Sequence, residues 1–67
     1  MTQTTYTVSI EGIRFTRNSK RDDFKFAVVY KCSIRGWKLA GLRTSRDDAE
    51  KLRLSHSKNL ESVAIAL

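Results

Sequence analysis

A chain of 67 residues, 40% apolar and without proline, has the size of a single domain (residues 1–67) near the lower limit for folding without staples. Its one cysteine and one histidine leave no intramolecular disulfide and no zinc site built by this chain alone, so no metal or cofactor is expected and a reducing cytoplasm is the simplest home. The net charge of +6 is uneven: residues 1–46 carry ten Lys/Arg against three acids, residues 47–67 three against four, and such a basic excess points to a polyanionic partner.

The first segment, MTQTTYTVS, has neither a basic n-region nor an apolar h-region, so it does not read as a signal peptide, and the initiator Met1 suits a free-standing small gene product. No apolar run approaches the roughly 20 residues that span a bilayer, so no membrane partner is expected. Residues 5–16 begin as a strand, with Tyr6, Val8 and Ile10 alternating against Thr5, Thr7 and Ser9. The phase slips at Glu11-Gly12, after which Ile13 and Phe15 are the apolar positions. A bulge at Gly12 in one long strand, or a tight hairpin at Glu11-Gly12, accounts for the slip; Glu-Gly is a weaker turn signal than Asn-Gly, which favours the bulge.

The polar connection RNSKRDD, residues 17–23, leads to the clearest alternation in the chain. Phe24, Phe26, Val28, Tyr30, Cys32 and Ile34 fall on one face, with Lys25, Ala27, Val29, Lys31 and Ser33 on the other. Arg35-Gly36 reads as a two-residue turn into a strand over residues 37–42. That register sets Ile34 opposite Trp37 and Cys32 opposite Leu39, so Trp37 and Leu39 join the apolar face and Lys38 joins Lys25 and Lys31.

Ser45, with Asp48 three residues on, has the spacing of a capping box, and Asp47, Asp48 and Glu50 complement the positive end of a helix dipole. Ala49, Leu52 and His56 form the stripe that covers the sheet. The ending has two readings. Val63, Ile65 and Leu67 alternate as a strand, while Leu60, Val63 and Leu67 also continue the 3-4 spacing of one long helix. The stretch Ser55-His56-Ser57-Lys58-Asn59 weakens a helix and favours a break before a short strand. The expected fold is therefore α+β: a three-stranded antiparallel sheet packed on one helix, with a short C-terminal fourth strand as the preferred ending.

No catalytic constellation emerges, and the chain is not expected to be an enzyme. His56 lies in a Ser-His-Ser patch, but residues one apart on a helix do not face each other. Cys32 falls on the apolar face as a small core residue, and three scattered glycines form no phosphate loop. What remains is a basic surface. Lys25, Lys31 and Lys38 are interleaved with Ala27, Ser33 and Ala40, with Arg35 at the turn, Arg43 at the strand end, and Arg17, Lys20 and Arg21 in the connection. Small residues between cations let a sheet approach a phosphate backbone.

The stretch FKFAVVYKCSIRGWKLAGLRTSRDDAEKL, residues 24–52, resembles the three-stranded-sheet-plus-helix DNA-binding domains of phage and transposon integrases (their arm-binding domains) and of plant ethylene-response factors. The resemblance rests on a basic strand, a short turn, a Trp-containing strand, a Thr/Ser cap and an acidic helix start. It implies an exposed sheet face laid into the DNA major groove, with contacts from Lys25, Lys31, Arg35 and Lys38. This chain carries less arginine on that face than those families do, and no catalytic domain follows.

A small nucleic-acid-binding protein, with duplex DNA favoured over RNA, is the expectation. The alternative is a phage- or plasmid-type interaction module that docks on an acidic host protein. A third option is an accessory protein whose apolar C-terminus forms a homodimer by strand or helix pairing.

Overall fold

The computed structural model describes residues 3–56 and 58–67; Met1 and Ser57 of the Ser-His-Ser patch lie outside the described residues. The chain is α+β, with strands β1 (Thr4–Ile10), β2 (Ile13–Ser19), β3 (Phe26–Cys32) and β4 (Gly36–Arg43), helix α1 (Arg46–Ser55), and strand β5 (Glu61–Ala66). β1 and β2 form a two-stranded antiparallel sheet. β4, β3 and β5 form a second one in that order, with β3 at the centre.

The hairpin at Glu11-Gly12 is present, and the long bulged strand favoured above is not. Ile10 pairs with Ile13, so the two residues between them make the whole turn. Glu11 has φ 48° and Gly12 φ 81°. Positive φ at both central positions is the geometry that matches the twist of hairpin strands. Glycine takes it freely, glutamate at some cost. The Glu11 carboxylate accepts a 2.8 Å hydrogen bond from Trp37 Nε1–H, which fixes the turn to the other sheet and helps offset that cost.

β3 is not the one-sided strand that its alternation suggests. Ala27, Val28 and Val29 are all fully buried, because β3 is covered on both faces. Ala27 and Val29 join Val8, Trp37 and Leu42 in the main core, with Tyr6, Ile10, Phe15, Phe24, Leu39, Val63 and Ile65 around it. This core lies between the two sheets. On the opposite face α1 buries Ala49, and His56 stacks on Tyr30 with ring centroids 4.4 Å apart. The helix stripe of Ala49, Leu52 and His56 therefore lies where expected.

The β3–β4 register also differs. Cys32 pairs with Gly36, Lys31 with Trp37, Tyr30 with Lys38 and Val29 with Leu39. The turn is Ser33-Ile34-Arg35, and Ile34 is 88% exposed rather than in the core. Pairing then slips, with Val28 opposite Gly41 and Ala27 opposite Leu42. Ala40 is the extra residue of a bulge, and it allows Leu42 to face the same side as Trp37 and Leu39.

Ser45 caps α1 as its sequence spacing indicates: its Oγ accepts the Asp48 N–H at 3.2 Å, with Asp47 and Asp48 in the first turn. Glu50 lies further along and pairs with Arg53 at 2.7 Å. The chain breaks after His56 and returns as β5, which pairs with β3 from Lys31↔Glu61 to Phe26↔Ala66. No helix among the described residues is long and apolar enough to cross a membrane.

Candidate nucleic-acid interface

Strand pairing decides which cations share a surface. Lys31 faces the hairpin side with Trp37, its Nζ 5.9 Å from the ring centroid. Lys38 sits opposite Tyr30 and so faces the helix side. The three-residue turn moves the register by an odd step and puts these two lysines on opposite faces. Both faces of the sheet are covered, so Lys25, Lys31 and Lys38 do not form the open basic face that alternation and resemblance implied. Arg35 is exposed at the turn beside this end of β3.

The other end of β3 is different. Arg17, Asn18 and Ser19 of β2, Phe24, and Ala40 to Arg43 of β4 line one open cleft of about 280 Å³. Arg17 and Arg43 come from different sheets and border the same cleft only because the hairpin folds over β4; the Arg43 guanidinium itself lies on the α1 side, near Leu52. The Lys25 N–H donates to the Arg43 carbonyl at 2.9 Å, which anchors Lys25 to the same end. Lys20 and Arg21 follow Ser19 directly, and Arg21 lies over the Phe24 ring at 5.3 Å. Of the eight expected residues, Arg17 and Arg43 line this cleft, and Lys20, Arg21 and Lys25 belong to the segments that border it. Lys31, Arg35 and Lys38 lie toward the opposite end of the β3–β4 hairpin, roughly 13–20 Å along the strands.

Tyr6 organises the connecting loop. Its hydroxyl donates to the Arg21 carbonyl at 2.7 Å and accepts the Phe24 N–H at 3.4 Å, while its ring meets Phe24 edge-on at 5.4 Å. Arg21 forms a two-pronged pair with Asp23, at 2.9 and 2.7 Å. Hydrogen bonding to Asp23 raises the guanidinium pKa, and the same bond holds the Asp23 carboxyl below its ordinary range. Lys20 and Lys25 keep exposed side chains without an ion-pair partner among the described residues.

Arg43 is half-buried, and its Nη1–H donates to the Leu42 carbonyl at 2.6 Å. It packs over Gly41, where an added Cβ would meet Arg43 Nη1 at 3.2 Å and Leu52 Cδ2 at 3.3 Å. Gly41 therefore gives the guanidinium its seat. Asn18 and Ser19 flank the expected cations in sequence and are suited to phosphate contacts; sequence reasoning missed Gly41 and Leu42 as parts of this surface, since only the turn at Glu11-Gly12 brings β2 to β4. Cys32 is half-buried beside the turn rather than in the core; backbone N–H groups of Ile34 and Arg35 lower its thiol pKa. His56 is a half-buried helix C-cap. Among the described residues no group of three His, Cys, Asp or Glu side chains could hold a metal ion.

The fold and this surface define a small two-sheet α+β domain with a cationic cleft at one end. In comparisons with known proteins no family model matches the chain, and no curated protein or solved structure matches it significantly.

Proposed function

We propose that this domain binds the phosphate backbone of a nucleic acid, with duplex DNA favoured, through the cationic end formed by Arg17, Lys20, Arg21, Lys25 and Arg43. The observation that carries the reading is the cleft that Arg17 and Arg43 line together with Asn18 and Ser19. Guanidinium, amide and hydroxyl groups are the usual donors to phosphate oxygens. Duplex is favoured over single strands because the cleft offers no pair of free rings for stacking: Trp37 is buried, Tyr6, Phe15, Phe26 and Tyr30 are half-buried away from the lining, and the half-buried Phe24, the one ring in the lining, has Arg21 over it. The sheet-face contacts of Lys31 and Lys38 have no part in this interface.

The test is a salt-titrated mobility shift with duplex DNA, single-stranded DNA and RNA side by side. Duplex binding should weaken with log salt at a slope of about −0.9 per phosphate contacted. The Arg17→Ala/Lys20→Ala variant, which alters two exposed side chains, should flatten that slope by nearly two contacts. Lys31→Glu/Lys38→Glu should bind almost as the wild type. No shift for any nucleic acid at about 50 mM salt, a low salt at which phosphate contacts are strong, would sink the proposal and favour an acidic protein partner. For that second reading the exposed Ile34 beside Arg35 is the natural contact.

A further inference from the structure

Two sheets leave four strand edges open, and they are not equally protected. An open edge offers unpaired N–H and C=O groups to any incoming strand, and proteins guard such edges with charges, bulges or caps. The β4 edge has all three: Lys38, the bulge at Ala40, and the Arg43 guanidinium donating to the Leu42 carbonyl. β2 carries Arg14 and Arg17. β1 has no charge, but polar Gln3 and Glu11 flank it.

β5 has no bulge and no cap, and its one charge lies at the end of the strand. Its sequence ESVAIA contains one charge, Glu61, at its first position, and no proline or lysine. The Leu67 N–H donates to the Lys25 carbonyl at 2.9 Å. Bonded and non-bonded pairs alternate in an antiparallel ladder, so Val63 and Ile65 turn their backbone groups toward β3. Ser62, Ala64 and Ala66 turn theirs outward. Apolar side chains gather along this edge. Leu60, just before the strand, is 68% exposed and Leu67, just after it, 44%. Leu54 is 57% exposed and lies one helical turn beyond Glu50, which faces Ala64 and Ala66 across a shallow pocket.

We propose that the β5 edge pairs antiparallel with the same edge of a second copy, joining two three-stranded sheets across a two-fold axis. A register centred on Ala64 places Ala64 opposite Ala64 and Ser62 opposite Ala66. All of these have outward-facing backbone, so about six interchain hydrogen bonds form. The same register sets Leu67 of each copy opposite Glu61 of the other, one residue along from Leu60. Charge selects this edge as well. Two chains of +6 repel, and residues 59–67 carry Glu61 as their one charged side chain, while Arg46 and Glu50 of α1, which flank Ala64 and Ala66, offset one another. The basic cleft lies on the β2–β4 side and stays open, so the pairing does not depend on the nucleic-acid reading.

The experiment is sedimentation equilibrium of the full chain from about 10 μM to 1 mM, at low and high salt so that charge repulsion is screened to different degrees. The expected mass is twice 7.7 kDa at the upper concentrations, and salt should tighten association. A synthetic chain N-methylated at Ala64 loses one outward donor, which the monomer does not use. It should keep the monomer's circular dichroism and weaken the dimer at least tenfold. If that chain misfolds, Leu60→Glu/Leu67→Glu, which changes two exposed side chains, should weaken the dimer by a similar factor. A 7.7 kDa species at every concentration overturns the proposal, as does a dimer indifferent to both changes. Open-ended polymers would also overturn it, since a two-fold contact closes on itself.

Discussion

Replacing Leu42 by alanine tests the phase of β4. Leu42 is 5% exposed and belongs to the core with Val8, Ala27, Val29 and Trp37. It points there because Ala40 is bulged; in an unbroken strand, Leu42 would face α1. The substitution removes three carbons, about 2.4 kcal/mol at roughly 0.8 kcal/mol each. A sealed void adds about 24 cal/mol per Å³. Leu42 also borders the open cleft, so solvent can enter and the added cost stays under about 1 kcal/mol. The total is about 2.5–3.5 kcal/mol, in a domain whose whole stability is about 3–10 kcal/mol at roughly 0.05–0.15 kcal/mol per residue. Urea titration followed by circular dichroism and Trp37 fluorescence measures the loss. Double-mutant cycles give the direction: Leu42→Ala should couple to Val8→Ala by more than about 0.5 kcal/mol and to Leu52→Ala by less. Coupling to Leu52 in place of Val8 would refute the bulged phase.

Other outcomes follow from single contacts. Ser45→Ala should cost about 1 kcal/mol of stability in the same titration, and Ser45→Asp should restore it, since a carboxylate also accepts the Asp48 N–H. Glu50 is held below the ordinary carboxylate range by its hydrogen bond to Arg53, and Asp23 by its bond to Arg21. A carboxyl lowered in this way contributes stability above its unfolded pKa and loses it as pH falls through the folded one. NMR titration of both side-chain carboxyls should therefore show inflections below those of the urea-unfolded chain; equal or higher inflections contradict the pairing. The Cys32 thiol, favoured as thiolate by the Ile34 and Arg35 N–H groups, should react with a disulfide reagent at a lower pH midpoint when folded than when unfolded. Identical midpoints would place the thiol away from that turn.

What could be read from the sequence was local. The Ser45 cap, the inward Trp37 and Leu39, and the C-terminal strand each depend on neighbours a few residues away. The β3 register did not yield, because FKFAVVYKCSI mixes two signals. Its outer residues alternate, but the central Ala27-Val28-Val29 run is what a strand buried on both faces requires. One extra residue in the Ser33-Ile34-Arg35 turn then set Trp37 and Leu39 on the face of Lys31 and Val29 instead of that of Cys32 and Tyr30. The Glu11-Gly12 turn was hidden for another reason: a glutamate at φ 48° is held by Trp37, which is remote in sequence. The cationic end depends on that turn. Lysines counted along the two strands of the central hairpin suggested a flat face, whereas Arg17 and Arg43 border one cleft through tertiary packing alone.

The strand order β4-β3-β5 also bears on the time course of folding. β1 with β2, and β3 with β4, are joined by short turns and can close as hairpins in about 1–10 μs. The second partner of β3 arrives only after β4 and α1 have been traversed, a far longer loop to close. Attachment of β5 is thus a late event, and substitutions such as Val63→Ala should speed unfolding while leaving the folding rate nearly unchanged. Until it occurs, the most buried strand of the protein has one side unpaired, and the fastest route to aggregation runs through β3 itself.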